Sequence, residues 1–391
     1  MADRPVILIV DDEPFNLDYL VQELEDLDLD ILTAANGQDA LRVVSEQTPD
    51  MIFLDIMMPG MNGFEVLQRL KSEPAWRHIP VVIISAASDL PQVVKGIELG
   101  ADDFLPKPFE PVLLHARLNA GLEKKRLRDL EQRYLHLLER ELEIGKEIQA
   151  GFLPHDIPQP DGWQIAAFFR PAREVAGDFY DVFEVEPGKL ALLLGDVTDK
   201  GVGAAMYMAL FRSLLRSSVM IDQITGEQDE GHLIPPEERL RRAVTLTNNY
   251  LCRVHDAGMF ATLLFGVLDV ESGQFCYLNA GHDYPYALRA GQIIAALKPT
   301  GPAAGVIDGV NYQIEGLNLL PGDALVLYSD GIIDVANPAG ERFEQERWQA
   351  LVTGSFESAS QFLQAAVEAL DAFAAGAEQY DDMSLLVVRR V

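Results

Sequence analysis

Four short apolar segments in the first 110 residues lead into charged or polar side chains, and this punctuation constrains the fold more than any other feature. Val6–Val10 runs into Asp11 and Asp12, residues 51–54 into Asp55, and residues 81–84 into Ser85. The short segment 103–105 lies just ahead of Lys107. Between them, residues 15–27, 64–70 and 91–99 repeat apolar positions at helical spacing. Runs that are apolar throughout must be covered on both faces. Such strands alternating with helices predict a parallel, doubly wound α/β sheet. The carboxyl ends of its strands gather along one edge, where ligands bind. Asp11, Asp12, Asp55, Ser85 and Lys107 are therefore expected in one place.

Three carboxylates gathered there repel one another unless a cation sits among them, and an open all-oxygen site suits Mg²⁺. The metal and the Lys107 ammonium could neutralise an incoming phosphoryl group, with a carboxylate as nucleophile forming an acyl phosphate. The stretches Val10-Asp11-Asp12-Glu13, residues 55–63 (Asp-Ile-Met-Met-Pro-Gly-Met-Asn-Gly) and Lys107-Pro108-Phe109 resemble a response-regulator receiver domain of flavodoxin-like fold. The resemblance covers about residues 5–120. It implies Asp55 as phospho-acceptor, with Asp11, Asp12, Asp55 and the Met57 carbonyl around Mg²⁺. It also implies Ser85 and Phe104 as the switch pair, a cis bond between Lys107 and Pro108, and a sensor histidine kinase or phosphotransfer protein as partner.

From Phe109 to about Ala150 the pattern is helical, interrupted by Gly or Pro only at Pro111, Gly121 and Gly145. Leu127, Leu130, Tyr134 and Leu137 follow heptad spacing. The register then slips onto Leu138 and Leu142, as a stutter does. A dimeric coiled-coil linker is expected, the alternative being a surface helix packed on its own chain.

Beyond the Pro-rich stretch 154–160 the pattern changes. Strands are expected at 163–169, 179–185, 189–196, 262–269, 274–278, 324–329 and 383–388. Helices are expected at 203–219, 236–251 and 358–374, and an exposed loop at 223–236. This order suggests an α+β sandwich flanked by helices. The domains are read as 1–120, 121–152 and 153–391. Aspartates again fall at strand ends or turns: Asp178, Asp196, Asp330 and the pair Asp381-Asp382. Convergent carboxylates without His or Cys favour Mg²⁺ or Mn²⁺ over zinc. Two such ions about 3.5–4 Å apart can activate a water for in-line attack on a phosphate ester.

The stretches 147–154 (Glu-Ile-Gln-Ala-Gly-Phe-Leu-Pro), 171–178, 195–205, 279–282 (Asn-Ala-Gly-His), 329–331 and 381–384 resemble the metal-dependent serine/threonine phosphatases of the PPM class, SpoIIE/RsbU branch. The resemblance implies Asp178, Asp196, Asp330 and Asp381 as ligands of two Mn²⁺ or Mg²⁺ ions, with the Val197 carbonyl added and Asp382 as the alternative to Asp381. Ala176 and Asp199 stand where Gly is usual, and Gly203 where Pro is usual. His282 could orient a neighbouring group or merely shape a loop. Arg173 could meet a substrate phosphate or form a surface ion pair.

The charge is consistent with this division. The chain carries 61 acids against 31 bases, a net charge of −30. Residues 1–120 hold −13, residues 121–152 hold seven of each sign, and residues 153–391 hold −17. Such acidity argues against a nucleic-acid or anionic-membrane partner. Two cysteines, Cys252 and Cys276, make neither a zinc site nor a disulfide framework. No signal-peptide or membrane-length apolar run is present, so a cytoplasmic location is expected. Taken together, the resemblances imply a two-component regulator with a serine phosphatase output. Its implied substrate is an anti-sigma-factor antagonist of STAS fold. The competing reading, from an architecture similar to RssB-type regulators, is a non-enzymatic adaptor that delivers a stress sigma factor for proteolysis.

Overall fold

The structure is a computed structural model that describes residues 4–86, 90–221, 234–254, 258–354 and 356–391. It divides into two compact units, Met1–Glu139 and Arg140–Val391.

In the first unit, β1 (Val6–Val10), β2 (Asp30–Ala34), β3 (Met51–Asp55), β4 (Val81–Ala86) and β5 (Asp103–Lys107) form one parallel sheet in the order β2-β1-β3-β4-β5. The connecting helices are α1 (Pro14–Leu24), α2 (Gly37–Glu46), α3 (Gly63–Ser72) and α4 (Leu90–Glu98). Alternation along each strand divides the core in two. Leu8, Val10, Ile52, Leu54 and Ile83 pack with Val44, Val66, Leu67 and Leu70. Ile7, Ile9, Phe53, Val82 and Ile84 pack with Leu20, Leu24, Leu114 and Leu118. The order reverses between β1 and β3, so the ligand edge lies where Asp11 and Asp55 end their strands.

Helix α5 (Pro111–Ala150) is continuous over 40 residues, and the division between the units falls inside it. Leu114 and Leu118 are buried in the first unit, whereas Leu127, Leu130, Tyr134 and Leu137 are all more than half exposed.

The second unit contains two five-stranded antiparallel sheets. One has the order β13-β10-β9-β8-β7, from Glu315–Asn318, Gln274–Ala280, Ala261–Asp269, Lys189–Val197 and Phe179–Glu186. The other has the order β12-β11-β14-β15-β6, from Gln292–Ala296, Tyr286–Arg289, Ala324–Tyr328, Met383–Arg390 and Trp163–Arg170. Leu192, Leu194, Leu264 and Phe275 of one sheet pack with Ile165, Leu325, Leu327 and Leu386 of the other. On the outer face of the first sheet, Leu193 and Phe265 pack with Met208 and Phe211 of α6 (Val202–Val219) and Val244 of α7 (Pro236–Val254). On the other outer face, Val326 and Leu385 pack with Trp348 of α8 (Glu344–Val352) and Phe362 of α9 (Ala359–Ala374). The unit is a sandwich of two sheets between two helical layers.

Several elements were not anticipated: β2, α2, β11, β12, β13 and α8. The expected loop at 223–236 lies outside the described residues as far as 233, and α7 begins at Pro236. No helix among the described residues is long and apolar enough to cross a membrane.

Candidate functional site

The first candidate site lies at the carboxyl edge of the parallel sheet. Oxygens of Asp11, Asp12 and Asp55 lie within 4.8 Å of one another. Lys107 Nζ donates to Asp11 Oδ2 at 2.9 Å and to Asp55 Oδ2 at 2.8 Å. Asn16 and the Glu13 amide orient Asp11 from behind, while the Met57 amide donates to Asp55 Oδ1 at 3.3 Å. Burial raises the Asp55 carboxyl above its ordinary range, against the pull of Lys107. Three carboxylates and one ammonium leave negative charge uncompensated, and an all-oxygen donor set of this size fits Mg²⁺.

Local chemistry explains the aim of Asp55. Gly63 starts α3 directly beneath it: a Cβ there would lie 2.1 Å from the Asp55 carbonyl oxygen. Asn62 and Glu65 close a capping box over the same helix end. Ser85 is buried with no hydrogen-bond partner for its hydroxyl among the described residues. A buried orphan donor is costly, so the Ser85 hydroxyl is open to a further acceptor. Phe104 is half-buried with Arg117 over its ring, and the Lys107–Pro108 bond is cis.

The second candidate site spans one end of the sandwich. Asp178 precedes β7 and Asp196 lies in β8. Phe179 pairs with Gly195, so the two aspartates lie at one level on adjacent strands. Asp330 follows β14 and Asp381 precedes β15, which are paired strands of the other sheet. Burial, then the charges of Asp330 and Asp381, push the Asp196 carboxyl up to about 8. Burial, then Asp381, pushes Asp330 up to about 6. Asp178 is fully buried and driven well above its ordinary range, chiefly by burial and then by Asp196. Burial and mutual repulsion thus raise Asp178, Asp196 and Asp330 together, and divalent cations among them would offset that repulsion. The set fits Mg²⁺ or Mn²⁺. Its carboxylates are spaced more widely than those of the first: among the described residues, only Asp11, Asp12 and Asp55 form a trio within 4.8 Å. A pair of ions needs a wider cage than one ion.

The adjacent pair Asp381-Asp382 is divided by its partners. Both Asp382 oxygens accept backbone N–H groups, from Ala172 at 2.7 Å and from Gly177 at 2.7 Å. Asp382 thus ties down the segment leading into Asp178. Asp381 accepts only the amide of its chain neighbour Asp382, at 2.9 Å on Oδ1, and its other oxygen is met by Lys200 at 3.0 Å. Sequence reasoning missed the supporting residues. Ser384 Oγ donates to Asp178 Oδ2 at 2.6 Å, and the Ser384 amide donates to buried Ser329 Oγ at 3.0 Å. The Val197 carbonyl lies against Gly177, where a Cβ would come within 2.8 Å of it.

His282 is buried and hydrogen-bonds none of the four carboxylates. One ring nitrogen bonds the Thr262 hydroxyl at 2.9 Å and the other faces the Tyr328 carbonyl at 3.1 Å. Only a neutral ring protonated at Nε2 satisfies both neighbours with the hydroxyl donating, and burial pushes its pKa down to about 4. It braces β14 two residues ahead of Asp330. Arg173 is exposed and forms no ion pair among the described residues. A cleft of about 380 Å³ opens beside Gly331 and Asp381, walled by Leu370, Ala374, Tyr380 and Met383.

Comparison with known proteins finds a family for each of the two regions. The response regulator receiver domain family matches residues 7–119, and the family of Stage II sporulation protein E (SpoIIE) matches residues 186–391. Protein IcfG of Synechocystis sp. is 40% identical over 262 residues, which are 64% of this chain and 41% of that protein. Response regulator PleD of Caulobacter vibrioides is 44% identical over 114 residues, 29% of this chain and 25% of that protein. The chain therefore spans less than half the length of these relatives. The SiaA-PP2C domain of Pseudomonas aeruginosa has the same fold, with a TM-score of 0.51 at 20% identity, over 66% of this chain and 98% of that one.

Proposed function

Since the chain belongs to the SpoIIE family and carries a receiver domain ahead of that region, we propose that it is a response regulator whose output is a metal-dependent protein serine/threonine phosphatase. The observation that carries this reading is the convergence of Asp178, Asp196, Asp330 and Asp381 at one end of the sandwich, all four retained. Their retention favours an enzyme over an adaptor for proteolysis.

In this reading a histidine kinase or phosphotransfer protein phosphorylates Asp55 in a domain of residues 1–120, with Mg²⁺ held by Asp11, Asp12, Asp55 and the Met57 carbonyl. Ser85 and Phe104 respond, and Lys107 balances the phosphoryl charge. The helical linker, residues 121–152, pairs two chains into a homodimer and carries the signal. In residues 153–391, Asp178, Asp196, Asp330 and Asp381, with the Val197 carbonyl, would hold two Mn²⁺ or Mg²⁺ ions, which would lower the pKa of a bound water and so supply a hydroxide nucleophile for a phosphate ester. Asp382 holds the loop rather than an ion. Ser384 and Ser329 keep Asp178 oriented. The cleft beside Asp381 takes the chain flanking the phosphorylated residue. The substrate is a phosphoserine or phosphothreonine protein, an anti-sigma-factor antagonist of STAS fold, and the setting is cytoplasmic.

The test is turnover of phosphorylated antagonist and of a generic phosphoserine peptide by the purified chain, with Mn²⁺, with Mg²⁺ and with chelator. Metal-dependent turnover that Asp178→Asn removes supports the enzyme. Equal turnover in chelator, or none with metal, rejects it.

A further inference from the structure

One cation stands at the mouth of the carboxylate site. Among the described residues, Lys200 is the only basic side chain ion-paired with any of Asp178, Asp196, Asp330 or Asp381, and it reaches Asp381 Oδ2 at 3.0 Å. Two other contacts hold it independently of that carboxylate. Its ammonium donates to the Tyr380 carbonyl at 2.6 Å and lies 4.4 Å from the centre of the Tyr380 ring. The side chain remains 26% exposed, and both of its partners, Tyr380 and Asp381, line the cleft.

The backbone beneath it is unusual. Asp199 takes a φ of 75°, the left-handed region that non-glycine residues seldom occupy, and its carboxylate accepts the Lys200 amide at 2.8 Å. Gly201 follows with a φ of 84°, and α6 starts at Val202. Positive-φ residues on either side of Lys200 shape the turn that carries its side chain.

We propose that Lys200 is a phosphoryl-binding residue: its ammonium receives a non-bridging oxygen of the phosphoserine or phosphothreonine ester at the carboxylate site. This rests on the phosphatase reading above. A region carrying −17 repels a phosphate dianion, and the cation beside the carboxylates offsets that repulsion where it matters. Lysine suits the task because its three donors form a compact point charge without a fixed fork. One donor stays on the Tyr380 carbonyl. When divalent ions engage Asp381, the donor now on Asp381 becomes free for the ester oxygen. Lys200 keeps its proton throughout and acts by charge and position. The competing role is simple screening of Asp381.

The full chain as wild type, Lys200→Met and Lys200→Arg separates these roles. Methionine keeps the apolar stem over Tyr380 without the charge. Three quantities are read: KM and kcat on p-nitrophenyl phosphate, calorimetric affinity for inorganic phosphate at saturating Mn²⁺, and calorimetric affinity for Mn²⁺ alone. Loss of one charge-assisted contact should weaken phosphate binding and raise KM by about tenfold or more in Lys200→Met. Arginine should recover most of it, and Mn²⁺ affinity should hold or tighten as a competing cation leaves. Unchanged phosphate affinity with tighter Mn²⁺ binding overturns the proposal in favour of screening. Weaker phosphate binding that merely tracks weaker Mn²⁺ binding overturns it as well. Absent wild-type turnover would reject the phosphatase reading, while the phosphate titration would still report on Lys200 by itself.

Discussion

Gln149 clamps Ala176 at both of its backbone polar atoms: its Oε1 accepts the Ala176 amide at 2.9 Å and its Nε2 donates to the Ala176 carbonyl at 2.6 Å. The glutamine sits on the last turn of α5, is buried, and meets a residue two positions before Asp178. The end of the helix and the start of β7 are thereby fixed together within the second unit. Gln149→Ala strands two buried backbone groups and should cost about 1–3 kcal/mol for each one left unsatisfied. Denaturant unfolding of the second unit should register that loss, and turnover should fall with it because Asp178 loses its register. Unchanged stability and turnover would reject the clamp.

The division of labour between Asp381 and Asp382 gives a sharper contrast. Asp382→Ala removes the acceptor for the buried Gly177 amide and the part-buried Ala172 amide, at 2.7 Å each, and should destabilise the second unit by about 2–3 kcal/mol. Asp381→Ala breaks the partly exposed ion pair to Lys200 and one local hydrogen bond from the Asp382 amide, and should cost less, about 1 kcal/mol. Metal affinity by calorimetry should show the reverse order, with Asp381→Ala the weaker binder. Equal metal loss in both variants at equal stability would mean that Asp382 is also a ligand.

That contrast marks how far the sequence could be read. β1, β3 and β4 announced themselves because burial on both faces requires unbroken apolar runs. β13, with the sequence Glu-Gly-Leu-Asn, is mostly exposed and joins its sheet by backbone pairing with β10, which leaves no side-chain signature. β2 lies at a sheet edge and only its final residue is buried. The strand-end aspartates were legible because glycines and apolar runs frame them. Asp382 differs from Asp381 only through amides that arrive from some 210 residues earlier in the chain, a fact of tertiary structure. Ser384, Gln149 and the role of His282 were hidden for the same reason.

His282 makes the folded state sensitive to acid. Its pKa falls from 6.5 to about 4 on burial. The unfolded chain therefore binds the extra proton first, and the stability conferred by a neutral His282 is full above about pH 6.5 and lost as pH falls toward 4. The shift amounts to about 3 kcal/mol across that window. Asp196 and Asp330, whose carboxyls are raised, slope the opposite way in the same range without metal. The measurement is therefore the difference in unfolding free energy between wild type and His282→Gln at each pH, in which the carboxylate contributions cancel. It should shrink toward acid. A pH-independent difference would mean that His282 does not titrate on unfolding.

The Asp55 assignment is tested by labelling. With Mg²⁺ and a small phosphodonor, wild type should acquire an acid-stable, base-labile acyl phosphate, and Asp55→Ala should acquire none. Lys107→Ala removes the ammonium that bridges Asp11 and Asp55, and labelling should slow by on the order of a hundredfold, the usual cost of one charge-stabilising donor. Label that persists in Asp55→Ala would refute the assignment.

The exposed stripe on α5 calls for a partner. Leu127, Leu130, Tyr134 and Leu137 repeat at heptad spacing, each more than half exposed, on a segment where seven acids balance seven bases. Fully burying an exposed leucine side chain contributes about 1.5–3 kcal/mol, so pairing these half-exposed residues across two helices would gain a part of that at each position. Leu130→Glu with Leu137→Glu keeps good helix formers and places like charges across the seam. Light scattering should give a dimer mass for wild type and a monomer mass for the double variant, with helical circular dichroism falling only modestly. A wild-type monomer at every concentration and phosphorylation state would reject pairing through this helix, and a double variant that stays dimeric would move the interface elsewhere.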